Sequence, residues 1–216
     1  MAQPLFDAGT GAGASSTSLT TALTIAANSN RVLYVFINDL TQTGVTSVVW
    51  NTTESLTQIA SGTFNTAGDN WFLYRLINPT ATTANVVSTF PGAAAAHSHL
   101  LASYYDTDQT TPNDTEDEAE GSGTAAQNTV TSATGDTCLA FIAVAGSSTL
   151  APASGETERV DTGGTTALYE LAGGASLSFD ITLGTSRAWV VVGLNLNAVA
   201  AGVTTRRYSL PLTGVG

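Results

Sequence analysis

The sequence predicts an all-β fold, an antiparallel β-sandwich, on three observations. From Ala175 to Leu183, Ala175, Leu177, Phe179, Ile181 and Leu183 alternate without a break with Ser176, Ser178, Asp180 and Thr182, the period-two pattern of a strand with one wet face. Comparable segments recur along the chain between clusters of Gly, Asn, Asp, Pro and Thr. No window of a dozen residues carries the i, i+3, i+4, i+7 apolar stripe of a helix.

The elements follow in order. Residues Gly9 to Ser18 hold only Gly, Ala, Ser and Thr, so residues 1–18 are expected to be a flexible opening segment. The sandwich domain is then residues 19–197. Its strands are expected near Leu19–Ala26 and Arg31–Ile37, the latter apolar on both faces and therefore central. Val45–Trp50 and Leu56–Phe64 read as a hairpin across Asn51-Thr-Thr-Glu. Trp71–Ile77, ended by Asn78-Pro79, and Asn85–Phe90, closed by Pro91-Gly92, come next. His97–Tyr105 is another strand. Asp106–Glu120 carries seven of the seventeen acidic residues, with Pro112 and no apolar period, and is expected to be a solvated loop. Strands resume at Thr129–Ser132, Thr137–Ala145, Glu158–Asp161, Thr166–Leu171, Ala175–Leu183 and Arg187–Asn197, roughly eleven or twelve in all, the spacing of sandwiches and jelly rolls. Residues 198–216 lack an alternating face and read as an extended C-terminal docking arm, with Arg206, Arg207, Tyr208, Leu210, Pro211 and Leu212 as its interface residues.

Composition narrows the function. A chain of 216 residues buries a core large enough for one domain. Charged residues make up 11% of it, against about 25% ordinarily; the six basic residues are all arginine and there is no lysine. Polarity comes instead from Thr, Ser and Asn, and β-branched Thr suits the solvent face of a strand. A net charge of −11 with scattered arginines repels phosphate backbones and argues against nucleic-acid binding. The N-terminal residues show no signal-peptide pattern, and no apolar run is long enough for a membrane helix. The single Cys138, in Cys-Leu-Ala-Phe-Ile-Ala-Val, is expected to be a small buried core residue.

Candidate chemistry is sparse. His97 and His99 share a strand face and offer two metal ligands, but a third and fourth are missing, so they are read as polar residues on an exposed face. Asp106, Asp108 and Thr110 occupy positions one, three and five of a calcium-loop pattern. Thr111 at position six and Asp117 at position twelve depart from it. Gly9-Thr-Gly-Ala-Gly-Ala lacks the strand before and helix after that a phosphate loop requires, and is read as linker. No Gly-x-Ser-x-Gly elbow occurs, and nothing singles out a pair of carboxylates. No catalytic, cofactor-binding or metal residue is assigned, and no enzyme activity is expected. Trp50, Trp71 and Trp189 lie in apolar strands and are read as core. Asn51-Thr-Thr and Asn113-Asp-Thr match the glycosylation sequon.

Seven segments carry a family resemblance: Ser29-Asn-Arg-Val-Leu-Tyr-Val, Val45-Thr-Ser-Val-Val-Trp, Trp71-Phe-Leu-Tyr-Arg-Leu-Ile-Asn-Pro, Asn85-Val-Val-Ser, Tyr105-Asp-Thr-Asp-Gln-Thr-Thr-Pro, Val130-Thr-Ser-Ala-Thr-Gly-Asp and Trp189-Val-Val-Val-Gly-Leu-Asn-Leu. In this order, from about residue 10 to 197, the chain resembles a jelly-roll domain of tailed-bacteriophage structural proteins and bacterial surface proteins. The acidic insertion at Asn113–Glu120 and the C-terminal arm depart from that pattern. The resemblance implies an adhesive or assembly module with no catalytic motif and no cofactor. The expected function is that of a structural virion protein, a capsid decoration (cement) protein on the outer surface or a tail component, made in the host cytoplasm. Its expected partners are the major capsid protein or other virion proteins and, by analogy, two further copies in a homotrimer, with no nucleic acid or membrane. The alternative is a carbohydrate- or receptor-binding module of a phage tail or fibre or of a bacterial surface protein, taking a host glycan.

Overall fold

The computed structural model describes residues 2–40, 44–65, 67–92, 96–114 and 116–200. These form fifteen strands, and every pairing between them is antiparallel: β1 (Leu5–Ala14), β2 (Ser18–Thr24), β3 (Val32–Asp39), β4 (Ser47–Trp50), β5 (Glu54–Ser55), β6 (Thr57–Phe64), β7 (Asp69–Ile77), β8 (Thr83–Thr89), β9 (His97–Tyr105), β10 (Asp117–Thr131), β11 (Thr137–Val144), β12 (Leu150–Pro152), β13 (Thr157–Asp161), β14 (Thr166–Ala172) and β15 (Ser176–Leu196). The all-β sandwich predicted from the alternation is what is observed. Its layers are three sheets, ordered β1-β9-β3-β7-β6, β10-β15-β11-β14-β13 with β12 beside β15, and β2-β8-β4-β5.

The pleat explains how one strand serves two cores. Successive side chains of β3 point to opposite faces, so Val32, Tyr34 and Phe36 pack on Leu139, Phe141, Val190, Val192 and Leu194 of the second sheet. Leu33, Val35 and Ile37 face Leu19, Leu23, Val48, Trp50 and Val86 of the third. The rings of Phe36 and Phe141 lie 5.4 Å apart at the centre of the first core, a separation at which aromatic pairs attract beyond their burial. A third core forms on the outer face of the second sheet. There the ribbon of β10 and β15 folds back, so that Phe179, Ile181 and Leu183 cover Ala140, Ile142 and Cys138. Cys138 is buried, and Trp50, Trp71 and Trp189 are core residues as expected.

Four expectations are corrected. The opening segment is not a loop: residues 5–14 form β1, paired with β9 along its length. Its glycines are what hid it, since they permit close approach rather than flexibility. A Cβ on Gly9 would lie 2.5 Å from Val160 Cγ2 and 3.0 Å from the Leu101 carbonyl oxygen, so only bare backbone fits between β9 and β13. The hairpin after Trp50 is shorter than expected. Left-handed Asn51 and Thr52 reverse the chain into the two-residue β5, and β6 then joins β7 in another sheet. The acidic segment becomes strand at Asp117, and the two last expected strands are one, β15, running unbroken for 21 residues.

Asp7 ties β1 to the third sheet. At the bulge between Phe6 and Ala8 its carboxylate accepts from the Ala26 N–H (3.0 Å), the Asn28 amide and the Ser103 hydroxyl (3.0 Å). Asp7→Ala removes the acceptor of all three bonds and leaves the buried Ser103 hydroxyl only a long 3.5 Å contact to the Ala8 carbonyl. The expected loss is about 1–2 kcal/mol, read from the shift of the denaturation midpoint at constant m-value.

Candidate functional site

Three places concentrate polar chemistry. The first is the end of the central strands, where β3 and β9 pair Asn38 with Ser98 and Asp39 with His97. A cavity of about 370 Å³ opens there, lined by Gly13, Ser15, Asn38, His97, Ser98 and Thr162 among others. His97 Nδ1 lies 3.1 Å from Asp39 Oδ1, and its ring stacks on Phe90 with centroids 3.6 Å apart. Burial lowers its pKa while the neighbouring Asp39 carboxylate pulls it back up. Asn38 donates to the carbonyls of Val144 and Thr165, pinning the first sheet to the second. Asn38 Oδ1, Ser98 Oγ and His97 Nε2 are covered and make no hydrogen bond. They lie on the wall of the cavity at the polar end of the central strands.

Two residues along, His99 is wholly buried, facing the third sheet; one ring nitrogen lies 2.7 Å from Thr21 Oγ1 and the other 3.0 Å from Ser88 Oγ. Burial brings its pKa down to about 4. The expectation of two histidines on an exposed face is therefore corrected. β9 is a central strand covered on both sides, and its polar side chains are buried with it. Among the described residues no group of three His, Cys, Asp or Glu side chains is placed to hold a metal ion.

The second place lies where β15 ends. Asn195, buried, shares the two N–H groups of its amide among Asp114 Oδ2 (3.1 Å), Asp136 Oδ2 (3.0 Å) and Asn197 Oδ1 (2.9 Å). Asn197 reaches Asp114 and the Thr111 carbonyl, and Asp136 accepts from the Ala198 N–H. Much of the acidic segment is thereby committed to architecture. Asp108 is a turn cap, with Oδ1 accepting from the N–H groups of Thr110 and Thr111; those bonds to the ionised form lower its pKa. Asn113 accepts from Tyr34 and Arg75, so this sequon asparagine is part of the fold.

The third place is the side of the molecule where β6 and β10 are the outer strands of their sheets. Edge glycines here carry indoles from the neighbouring strand: Gly62 lies under Trp71, its register partner, and Gly121 under Trp189. A Cβ would come within 2.6 Å of Trp71 Nε1 and 2.7 Å of Trp189 Cζ2 respectively. Trp71 Nε1 donates to Glu118 at 2.9 Å, linking the two sheets at their edge. Beside them is an open cleft of about 500 Å³ lined by Asn65, Glu120, Gly121, Ser122 and Ala188. The expected arm residues Arg206, Arg207, Tyr208, Leu210, Pro211 and Leu212 lie outside the described residues.

Comparison with protein-family models, with curated proteins and with solved structures found no match.

Proposed function

We propose that this chain is a non-catalytic assembly protein, a structural component of a tailed-bacteriophage virion that decorates the capsid exterior or tail through contacts with the major capsid protein or another virion protein. The observation that carries the reading is where the polar chemistry sits. Asn38, His99, Asn195 and Asp7, the groups a reaction centre would draw on, join one layer or strand end to the next. The exposed positions of β2, β6 and β10 are instead mostly threonine, serine, glutamine and acidic side chains. Such a surface is suited to contacts between proteins, and a net charge of −11 turns it away from packaged nucleic acid. The seven segments that carry the resemblance fall on strands β3, β4, β7, β8, β9, β10 and β15 or on the turns beside them. A homotrimer around a lattice threefold fits this reading by symmetry.

Deletion of Thr204–Gly216 tests it. The shortened chain is expected to keep its cooperative unfolding transition and to lose co-sedimentation with particles of the virus that encodes it. Undiminished incorporation would refute the arm's role. Selective binding on a glycan array, with no particle binding by the intact chain, would favour a carbohydrate-binding module instead.

A further inference from the structure

The receiving surface for the arm can be read from the second sheet. β10 is its outer strand, paired on one side only, with β15. From Asp117 to Gly123 its side chains are exposed or half-exposed, and the register breaks between Gly123 and Ala125, so seven residues of continuous edge are presented. Natural edges are blunted by lysine, proline, bulges or a covering segment. This stretch, Asp-Glu-Ala-Glu-Gly-Ser-Gly, has no lysine or proline and only a hydrogen beyond Cα at Gly121 and Gly123. What it does carry is charge: Asp117, Glu118 and Glu120. Three carboxylates repel a second copy of the same edge, since like charges placed opposite each other on paired strands are destabilising, and they favour a cationic strand.

The one place in the sequence where two basic residues adjoin is Arg206-Arg207, within Thr204-Thr-Arg-Arg-Tyr-Ser-Leu-Pro. Thr204 to Leu210 is seven residues, the length of the open edge, and it ends at Pro211, which has no N–H to continue a ladder. In an extended segment Arg206 and Tyr208 project to one face and Arg207 to the other. On β10, Asp117 and Glu120 likewise project to opposite faces. The cleft beside Glu120 and Ser122 has room for an aromatic ring.

We infer that residues Thr204–Leu210 of a second copy of this chain add as a strand to the Asp117–Gly123 edge, with Arg206 and Arg207 against the carboxylates and Tyr208 in the adjoining cleft. The occupant is a second copy because of where the chain leaves its own domain. Ala198 is held by Asp136, just before β11, and Val199 by the Asp106 carbonyl beyond β9. From there the molecule's own segment would have to pass β15 and β10 and turn back, about three strand spacings or roughly 14 Å sideways. The five residues from Val199 to Thr204 span at most about 18 Å fully extended, which leaves nothing for the reversal. A head-to-tail exchange of this kind closes into a ring when the rotation between copies permits. The inference rests on the assembly reading for treating the arm as a docking segment.

Sedimentation equilibrium of the purified chain, without particles, tests it. The intact protein is expected to self-associate, more tightly at low salt than at high salt. Truncation after Ala200 is expected to leave monomers. Asp117→Arg with Glu120→Arg is expected to weaken association by about tenfold or more, and adding Arg206→Glu with Arg207→Glu is expected to restore it. An intact chain that stays monomeric, truncation without effect, or a charge exchange that fails to rescue would each overturn the inference. Particle co-sedimentation by the Asp117→Arg/Glu120→Arg chain separates the two claims. If that chain still joins particles while the arm-deleted one does not, the arm binds the shell and not β10.

Discussion

Removing residues 2–14 is expected to abolish the folded state, although a segment more than half glycine and alanine would ordinarily be trimmed as a disordered leader. β1 pairs with β9 at nine positions, from Leu5↔Tyr105 to Ala14↔His97. At roughly 1 kcal/mol net for each hydrogen bond formed, the ladder is comparable to the whole ~5–15 kcal/mol by which a domain is stable. Its loss also uncovers β9, a strand buried from His97 to Tyr104, as a new apolar edge of the kind that aggregates. The ring of Phe6 packs edge-on to Tyr104 at 5.5 Å and lies under the Arg159 guanidinium at 4.9 Å, so the first core loses its rim as well. Arg159 in turn is held by Glu170 through two bonds, and Glu170 accepts from Tyr104. The measurement is yield of soluble protein with a cooperative thermal transition. A chain lacking residues 2–14 that unfolds cooperatively near the intact chain's midpoint would show that β1 is dispensable. Gly9→Val is the finer probe, since its new side chain meets Val160 and the Leu101 carbonyl while the rest of β1 is unchanged.

That segment also shows what the sequence concealed. Alternation of large apolar with polar residues makes the first half of β15 readable, because it records one buried and one exposed face, while β3 is readable as a continuous apolar run buried on both faces. β1 offers Gly9, Gly11 and Gly13 where a strand normally has Val or Ile. Its inward face is flat because Val160 and Thr162 press against it, and a flat face leaves no apolar signal. Glycine at three alternate positions was the available sign, as a strand's period survives even where its side chains do not. The start of β10 was hidden for a different reason. An edge strand exposed on both faces through Ala125 has no buried face to record, and only Ala126, Asn128 and Val130 restore the pattern. Gly184-Thr-Ser reads as a turn, yet it is where β15 stays extended while exchanging β12 for β11 as its partner.

The polar sites were less legible than the strands. That Cys138 and the three tryptophans are buried follows from their apolar neighbours. The positions of His97 and His99 do not, since two histidines and two serines within nine residues suggest a wet face. What decides their burial is the third sheet laid over β9, and sheet order is a long-range property that a local window does not contain. The same holds for Asn195, whose three acceptors come from Asp114, Asp136 and Asn197, two of them distant in sequence.

The histidine so concealed gives the fold a measurable acid dependence. His99 has a pKa near 4 in the folded protein, lowered by burial from an ordinary 6.5. The unfolded chain therefore takes up the proton first, and stability rises with pH wherever the unfolded state binds more protons. The contribution is complete above pH 6.5, declines as the pH falls toward 4, and adds no further loss below that. Two and a half units correspond to about 3 kcal/mol at 1.36 kcal/mol per unit. Carboxyl groups contribute with the opposite sign: burial raises the pKa of Asp69 and Glu156, which makes protonation favour the folded state. The quantity to measure is therefore the difference between the intact chain and His99→Gln, in urea-denaturation stability across pH 4 to 7. Glutamine retains a donor and an acceptor toward Thr21 and Ser88 but cannot be charged. At pH 7 the variant is expected to be less stable by about 1–2 kcal/mol from imperfect hydrogen bonding. That deficit is expected to shrink and then reverse as the pH falls, because the intact chain alone must either exclude or bury the proton. Parallel stability curves for the two chains between pH 4 and 6.5 would mean that His99 is not held neutral by burial, and that the contact between the first and third sheets is looser than the geometry at Thr21 and Ser88 describes.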